Sequence, residues 1–481
     1  NPFEAATTSG AFTPTIPSGT PFGLSQYESS PLSRATSVTP PSWYATTTAF
    51  GTNIANEVKL DHAANTYYAA GSLLKTTITE PGTGGAGTGN KIITYKDKKG
   101  RAILVKRTDN TGSQVAETYS QYDDKDRLKL VIPPGAAYNS TGLTFSYTYD
   151  GADNMLTKKV PDAAVVTMKY NTRDQLALEQ DGNLLAQSKW RSIRYDDYGR
   201  PFKTGLFSGT IPNPILPTLD PTDLYTENTY DGTLAIEKGK LKKARVRVFD
   251  AGNTWLETNY TYDIYGRVSG STGNNYLVPA DLNAETMGYV YDFADHVLID
   301  TRVSKQSVAT SHTIIQTHTF DAWGRLKSNT HQLDNGATTT ISDLNYDWKN
   351  QLIEKNLGKT ATNSYLQSLD YTYNDQGWLQ TINNATLGGT NVTLASCTAP
   401  NPGAASSTPD NNDLFYLDLK YDVLQSGLSG TAQKNGNISQ LVWRIRGRER
   451  QSYSLTYDYL DRLQNSTYAD ITDAGTPKTS N

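Results

Sequence analysis

The stretch NYTYDIYGRVSGST, residues 259–272, decides the fold that we expect of this chain. Its tyrosines alternate along one face of a predicted strand that ends at Tyr262. Asp263 is placed to begin a turn, because its carboxylate can accept hydrogen bonds from the backbone N–H groups ahead of it. Gly266 supplies the positive φ that closes a short hairpin loop. Arg267 begins the returning strand, where it can pair with the carboxylate or stack on the tyrosine ring.

This phrase recurs along most of the 481 residues. RYDDYGRPF at 194–202 and TFDAWGRLK at 319–327 keep it, whereas QYDDKDRLK at 121–129 and TYDYLDRLQ at 456–464 place Asp at the glycine position, a residue that adopts the left-handed backbone at some cost. Most intervals between aromatic–Asp pairs are in the twenties, which indicates a repeat architecture whose units pack against their neighbours. The motif residues that we single out as structural are Tyr122, Asp123, Tyr149, Asp150, Tyr195, Asp196, Gly199, Arg200, Tyr262, Asp263, Gly266, Arg267, Phe320, Asp321, Gly324, Arg325, Tyr457 and Asp458.

Each repeat is therefore predicted to be a β-hairpin plus a connection. A lone hairpin is barely stable in water, so we expect the hairpins to join side by side in one long sheet. Few Met residues (3), many Thr and 31 Tyr favour strands over helices. Because a long sheet twists and must protect its edges, we predict an all-β fold in which the sheet winds on itself as a spiral or barrel-like wall.

The composition of the chain changes at a few points, which we interpret as domain boundaries. Residues 1–48 are rich in Ser, Thr and Pro and are interpreted as an extended linker or arm. The repeat region spans 49–470, with insertions near 208–223, which holds four prolines, and near 387–413, which is polar. Residues 471–481 are a tail or a continuation of the wall. The chain begins with Asn rather than Met, so we interpret it as a mature or clipped piece of a longer protein.

Charge and hydropathy favour neither nucleic acid nor a membrane as the partner. The net charge is −4, with 44 basic and 48 acidic residues, which gives no electrostatic reason to expect nucleic acid or an anionic membrane. We also expect no membrane span, because no apolar run approaches the ~18 residues that a spanning helix needs. Cys397 is the one cysteine, so an intrachain disulfide cannot form.

The order of several motifs resembles the YD-repeat, or Rhs-repeat, family. ITYKDKKGRAILVKR at 93–107, VIPP at 131–134, KVPDAAVVTMKYNTRDQLALEQDGN at 159–183 and YDDYGRPFKTG at 195–205 are similar to the form common in Bacteroidetes-type bacteria. The resemblance covers about residues 50 to 470. It implies a β-hairpin spiral that forms a hollow, cocoon-like shell, complete or incomplete in this chain. It also implies a secreted or cell-surface bacterial protein.

The resemblance further implies what such a shell is for. In the family, the cavity commonly holds a C-terminal toxin or another variable passenger, and some members serve bacterial competition or adhesion. Export by type IX secretion, contact with that machinery, or a second chain that completes the shell are further expectations. The family's DPxG-type closing signature is absent before Asn481, so no self-cleavage residues are carried over. Any catalytic activity is expected in a C-terminal domain that this chain does not contain.

Outside the repeat motif, the sequence patterns for a catalytic or metal-binding site are weak. GLFSG at 205–209 has the wrong spacing for a nucleophile elbow and is better explained as a structural loop. His312 and His318 share a strand parity near Asp321, but their spacing matches no standard metal-ligand set; the other histidines are His62, His296 and His331. The aspartates of YDDKD at 122–126 and of DGADN at 150–154 are more simply turn caps than calcium ligands. We predict no catalytic residue, no cofactor and no metal.

Three functions stay open at this stage. The first is a non-enzymatic shell that encloses or carries a passenger. The second is an exported surface protein that engages glycans or a secretion or motility apparatus through the insertions at 208–223 and 387–413. The third is an enzyme in the repeat wall, for which no constellation stands out. Two alternating basic runs, at 238–250 and 442–450, are interpreted as solvated or cavity-facing strands rather than as grips for an acidic partner.

Overall fold

The fold follows from segments rich in Thr, Tyr and Val that alternate with Gly, Asp and Asn at the bends. In the computed structural model, strands account for 52% of the described residues and helix for 2%, and the strands form a large antiparallel sheet. The predicted all-β hairpin fold is therefore confirmed. The structure describes residues 22–41, 43–62, 64–82, 86–136, 142–249, 254–361, 364–383, 397–398 and 413–472.

The strands are numbered in chain order. The first part of the chain contains β1 (Leu24–Tyr27), β2 (Ala35–Thr39), β3 (Thr46–Thr52), β4 (Lys59–Asp61), β5 (Thr66–Tyr67), β6 (Leu74–Thr79), β7 (Lys91–Lys96), β8 (Ala102–Thr108), β9 (Val115–Tyr122), β10 (Leu128–Ile132), β11 (Phe145–Tyr149), β12 (Met155–Lys159), β13 (Val166–Tyr170), β14 (Leu176–Gln180), β15 (Trp190–Tyr195), β16 (Pro201–Phe207) and β17 (Asp223–Tyr230). The second part contains β18 (Leu241–Arg247), β19 (Trp255–Tyr262), β20 (Val268–Gly273), β21 (Glu285–Tyr291), β22 (Val297–Lys305), β23 (Ser311–Phe320), β24 (Leu326–Leu333), β25 (Thr339–Tyr346), β26 (Leu352–Ala361), β27 (Ser364–Tyr373), β28 (Leu379–Ile382), β29 (Cys397–Thr398), β30 (Phe415–Lys420), β31 (Gln440–Ile445), β32 (Arg450–Tyr457) and β33 (Leu463–Ile471).

Helical structure is limited to two short turns among the described residues. The helix α1 (Gly182–Ala186) is capped by Asp181, whose Oδ1 accepts a hydrogen bond from the N–H of Leu184 at 2.8 Å. A single 3-10 turn spans Ala235–Glu237. Neither turn covers a face of the sheet.

The chain divides into two compact units. Unit 1 comprises Asn1–Glu117, Tyr371–Ala385 and Leu414–Asn481, and unit 2 comprises Thr118–Asp370 and Thr386–Asp413. In unit 2, each strand from β10 to β26 pairs antiparallel with the strand before it and the strand after it, and β29 adds to β27. Unit 2 is thus a continuous meander of hairpins.

Unit 1 contains the first and the last strands of the chain. β1, β2, β3, β6, β7 and β8 pair in that order, while β4 and β5 form a separate hairpin. β28, β30, β31, β32 and β33 form a second antiparallel run. No ladder among the described strands joins β33 back to β1, so the sheet is not closed.

The N-terminal segment interpreted from its composition as a linker or arm carries strands in its described part. Within 1–48, β1 and β2 form a hairpin and β3 begins at Thr46. Trp43 also packs edge-on against Trp378, with ring centroids 5.1 Å apart, and donates its Nε1–H to the carbonyl of Lys434 at 3.0 Å. The prolines fall between the strands, and the Thr- and Val-containing runs form them. Residues 1–21 lie outside the described residues.

The insertion at 208–223 lies between β16 and β17 and is held against the sheet of unit 2. Ile215 is buried in a cluster with Ala177, Leu178 and Phe207. The insertion at 387–413 falls outside the described residues apart from β29 and Asp413, and the tail is described only to residue 472.

Buried apolar side chains are few, and each group is local to its unit. In unit 1, the excursion between β3 and β6 buries Val58 and Leu73, while Tyr95 and Leu104 are buried on β7 and β8. Asn53 fixes this excursion, because its Oδ1 accepts from the N–H of Leu73 at 2.8 Å. With so little aliphatic core, the sheet depends strongly on polar contacts at its turns.

We predict that the left-handed turn glycines stabilise unit 1 through their backbone alone. Gly100 joins β7 to β8 at φ 83°, and a Cβ built there meets nothing within 4 Å. Gly100→Ala should lower the free energy of unfolding by about 1–2 kcal/mol, since an L-residue is strained in this region. Urea denaturation followed by circular dichroism measures the change.

The matched control is Gly51→Ala in β3, where the space around a Cβ is equally open. It should leave stability unchanged or raise it slightly. Equal losses for both variants would contradict the prediction.

Candidate functional site

The turn at 263–267 shows how one repeat is closed. Asp263 Oδ1 accepts hydrogen bonds from the N–H groups of Tyr265 and Arg267, both at 2.9 Å. Asp263 Oδ2 accepts from Arg267 Nε at 2.7 Å. Gly266 adopts φ 81° and donates its N–H to the Asp263 carbonyl at 2.9 Å. The register shifts by one residue at Tyr262, as in a bulged hairpin.

The same Asp–Arg contact closes the other turns of this type. The Oδ2–Nε pairs are Asp97–Arg101 at 2.7 Å, Asp123–Arg127 at 2.7 Å, Asp196–Arg200 at 2.7 Å, Asp321–Arg325 at 2.6 Å and Asp458–Arg462 at 2.7 Å. Gly199 and Gly324 adopt φ 82° and 77°, as Gly266 does.

The arginine of one turn also reaches the next turn along the sheet edge. Arg267 Nη1 donates to the carbonyl of Asp292 at 2.9 Å and to Asp295 Oδ1 at 2.7 Å. Its guanidinium lies 4.5 Å from the ring centroid of Tyr291. Tyr291 in turn donates its hydroxyl to the carbonyl of Val268, just after the arginine, at 2.7 Å. We call this set of contacts between successive turns the turn clamp.

The turn clamp recurs at other turns of unit 2. Arg127 contacts Asp150 O at 2.8 Å, Asp153 Oδ1 at 2.7 Å and the Tyr149 ring at 4.8 Å. Arg325 contacts Asp347 O at 3.0 Å, Asn350 Oδ1 at 3.1 Å and the Tyr346 ring at 4.6 Å. The corresponding tyrosine hydroxyls donate from Tyr149 to Leu128, from Tyr195 to Leu176, from Tyr346 to Leu326 and, in unit 1, from Tyr457 to Ile438, at 2.9–3.0 Å.

Sequence reasoning found the contact within a turn and missed the contact between turns. The ring under Arg267 belongs to Tyr291 of the following hairpin, whereas the motif alone suggested its own strand's Tyr262. The sequence signal for the contact between turns is an Asp or Asn at the turn position that Gly266 occupies in the motif. Asp295 and Asn350 adopt left-handed backbone, with φ 67° and 64°, and accept from the arginine of the preceding turn. An acidic or amide residue there compensates its backbone strain with a bond to the arginine.

Two motif positions, Phe320 and His296, depart from this pattern because they hold another residue type. Phe320 lacks the hydroxyl, and its ring stacks on His296, with centroids 4.5 Å apart. His296 occupies the arginine position of its turn and contacts Asp292 Oδ2 through Nδ1 at 2.8 Å. Tyr122 ends β9 opposite Leu128 across its hairpin.

The turn carboxylates are held in their ionised form. Burial disfavours the charge on Asp263, but the N–H groups and guanidinium of Arg267 outweigh it, so the pKa of Asp263 lies below its ordinary value of 3.8. At Asp150 the side chain of Asn154 is the leading cause of a lowered pKa. The balance seen at Asp263 also lowers the pKa of Asp123, Asp196, Asp321 and Asp458.

The candidate nucleophile and metal residues are used structurally where the structure describes them. Gly205 lies within β16, which continues through the buried Leu206 and Phe207, so GLFSG does not form a strand-to-helix elbow. Three of the five histidines pair one to one with aspartates, at His296–Asp292 2.8 Å, His312–Asp334 2.7 Å and His318–Asp300 2.8 Å. Within the described ranges, no three His, Cys, Asp or Glu side chains form a group that could hold a metal ion.

Two of the aspartates considered for calcium, Asp123 and Asp153, are engaged by a cation of the chain. Asp123 contacts Arg127 within its turn, and Asp153 contacts the same Arg127 at 2.7 Å. The basic run at 238–250 is likewise matched by acids. On β18, Arg245 pairs with Glu227 and Lys243 lies 3.5 Å from Glu257.

A pocket of about 620 Å³ lies beside the insertion at 208–223 in unit 2. Its lining mixes polar side chains such as Asn171 with apolar ones such as Met168 and Ile211. Asn171 already accepts from the N–H groups of Arg173 at 2.9 Å and Gln175 at 3.1 Å. The pocket is large enough for a small molecule. Because Asn171 is already engaged in its own turn, it does not identify a class of ligand for the pocket.

None of the helices among the described residues is long and apolar enough to cross a membrane. No protein-family model and no curated protein sequence matches this chain. Comparison with solved structures does find the fold. A crystal structure of TcdB2-TccC3 without its hypervariable C-terminal region aligns with 93% of this chain at 14% identity, with a TM-score of 0.50.

Two further structures give the same result. A crystal structure of TcdB2-TccC3-Cdc42 aligns with 94% of the chain at 16% identity and a TM-score of 0.50. The Photorhabdus luminescens Tc holotoxin pore carrying the TccC3 mutation D651A aligns with 93% at 15% identity and a TM-score of 0.52. This chain spans only 21–22% of the length of those chains. At this identity the likeness shows that the chain shares its fold with part of these Tc toxin proteins.

We predict that the tyrosine hydroxyl of the turn clamp contributes measurably to stability. Tyr291→Phe removes the bond to the carbonyl of Val268 and leaves the ring in place. It should lower the free energy of unfolding by about 1 kcal/mol, measured by urea denaturation. Tyr198→Phe is the control, because Tyr198 is 84% exposed and its hydroxyl is hydrated in either state. A loss of similar size in the control would contradict the assignment.

We also predict a defined acid limit of stability. The folded-state pKa values of Asp263, Asp123 and Asp321, which pair with the clamp arginines inside their own turns, lie below the ordinary value of 3.8, so these carboxylates bind protons more weakly in the folded state than in the unfolded state. The stability that these carboxylates contribute is fully present at pH values above that ordinary pKa and is lost as the pH falls through the folded-state pKa. The urea midpoint should therefore stay flat from about pH 7 to 5 and fall below about pH 4.

Asp263→Asn tests whether the clamp causes this acid loss. The variant should be less stable than the natural chain at pH 7 and should lose less additional stability on acidification, since one titrating carboxylate is gone. A main loss near pH 6, where histidine titrates, would contradict the prediction.

Proposed function

We propose that this chain is a section of the wall of a secreted, non-enzymatic β-shell that encloses a passenger polypeptide. The observation that carries the proposal is the turn clamp, which at Arg127, Arg267 and Arg325 binds one hairpin of unit 2 to the next along one edge. A wall built this way needs no separate aliphatic core, because arginine, aspartate and tyrosine contacts hold neighbouring hairpins together.

The fold that the chain shares with Tc toxin proteins supports this proposal. The matched chains are about four times as long as this one, and one of them lacks a hypervariable C-terminal region in its crystal structure. A toxin passenger that follows the repeat wall fits this arrangement. It also fits the Rhs-repeat motifs, whose family resemblance implies a hollow shell around a variable C-terminal domain.

The finer parts of the proposal rest on the resemblance. These are the Bacteroidetes-type form, type IX export, placement at the cell surface, a role in bacterial competition and a partner that completes the shell. We place catalysis in the passenger, because the wall uses His296, His318 and Asp263 in ion pairs between its own side chains. The alternative, an exported protein that engages glycans or a secretion or motility apparatus through the insertions at 208–223 and 387–413, stays a prediction.

The proposal is tested on the natural full-length polypeptide. Its intact mass should exceed the 52.7 kDa of this chain, and the extra region should resist a non-specific protease while the wall is intact. The double variant Arg267→Ala/Arg325→Ala removes two clamps and should expose that region at about tenfold lower protease concentration, since local opening governs cleavage.

Arg302→Ala is the matched control. Arg302 is 55% exposed at its side chain and lies 3.4 Å from Glu285, so its loss should leave protection unchanged. A C-terminal region that is cleaved as readily in the natural protein as when it is produced alone would overturn the shell proposal.

A further inference from the structure

Four successive hairpin turns of unit 2 each carry one large, strongly exposed aromatic ring. The rings belong to Tyr265 (77% exposed), Phe293 (101%), Trp323 (76%) and Trp348 (85%). We call these four side chains the aromatic ridge. Single exposed apolar residues are ordinary on protein surfaces, but a row of large rings marks an interaction site.

The sheet places these rings in a row. The four turns connect β19 to β20, β21 to β22, β23 to β24 and β25 to β26, and these strands pair in that order. Alternate turns of a meander lie on the same edge, so successive tips are two strands, or about 10 Å, apart. The turn clamps of Arg267 and Arg325 tie neighbouring tips together.

Cations of the chain fix the orientation of three of the rings. The Arg267 guanidinium lies 5.0 Å from the Tyr265 centroid, and the Arg325 guanidinium lies 4.6 Å from the Trp323 centroid. Lys349 Nζ lies 5.3 Å from the centroid of Trp348. A cation on one face holds a ring without covering the other face, which explains how these rings are both oriented and largely exposed.

The charge of this edge disfavours anionic partners. The four five-residue turns at 263–267, 292–296, 321–325 and 347–351 contain five aspartates against two arginines and one lysine, a net charge of −2 with histidine neutral. Such an edge is not attracted to nucleic acid or to an anionic bilayer. The occupant that fits regularly spaced open rings beside net negative charge is a neutral, extended molecule with its own repeating faces.

We propose that the aromatic ridge binds a neutral, extended polysaccharide. The C–H groups on the face of a sugar ring carry partial positive charge and stack on the negative face of an aromatic ring. The regular spacing of the tips lets one chain contact several rings in succession, so weak single contacts add along the polymer. This site lies apart from the insertions at 208–223 and 387–413, and it does not depend on whether the wall encloses a passenger.

Affinity electrophoresis of the purified chain in gels containing xylan, hydroxyethylcellulose or glycol chitin tests the proposal. At least one of these neutral or near-neutral polymers should retard the natural chain. Trp323→Ala/Trp348→Ala should weaken that retardation about tenfold, and a longer oligosaccharide should compete far better than a disaccharide of the same sugar. Because both rings are exposed, the circular dichroism and the thermal midpoint should stay unchanged.

Tyr198→Ala is the matched control. Tyr198 is 84% exposed and lies 5.0 Å from Arg200 in the same turn type, but it lies outside the four-turn ridge, so retardation should persist. Three results would overturn the proposal: no retardation in any of the three gels, equal loss in the control, or ridge-dependent binding to phosphatidylcholine vesicles or to a second copy of the chain instead of glycan.

Discussion

The structure depends on one interaction, in which an arginine of one hairpin turn bonds to the next turn. Arg267 pairs with Asp263 in its own turn and reaches both the carbonyl of Asp292 and the side chain of Asp295. Tyr291 returns the contact by bonding to Val268. An isolated hairpin is marginal in water, so these reciprocal bonds let the hairpins form a continuous sheet with few buried aliphatic side chains.

The same interaction explains why the sequence is polar and yet folded. Desolvation disfavours the charge of Asp263 and Asp321, and the arginine and backbone N–H groups of their turns outweigh it. The arginines also hold tyrosine and tryptophan rings in place on the sheet edge. Stabilising contacts and exposed aromatic surface therefore come from one five-residue phrase, which explains how an edge that holds the wall together can also offer a binding surface.

Elsewhere the chain uses different local solutions. Unit 1 buries Tyr95 and Leu104 on neighbouring strands, and Asn53 fixes the excursion between β3 and β6. In unit 2, Ile215 anchors a proline-rich loop that composition alone presents as a free surface insertion. Burial of one apolar side chain can order a loop whose other residues are polar, and sequence composition does not show which residue does so.

The sequence by itself determined the all-β fold, the hairpin period and the contact between Asp263 and Arg267, because these depend on residues close together in the chain. Only the tertiary structure decided that Arg267 stacks on Tyr291, that Asp295 and Asn350 use strained backbone to accept an arginine, and that four rings line one edge. The sequence also did not predict strands β1 and β2 or the contact of Trp43 with Trp378. These features join residues from different hairpins, so they exist only once strand pairing has set which turns are neighbours.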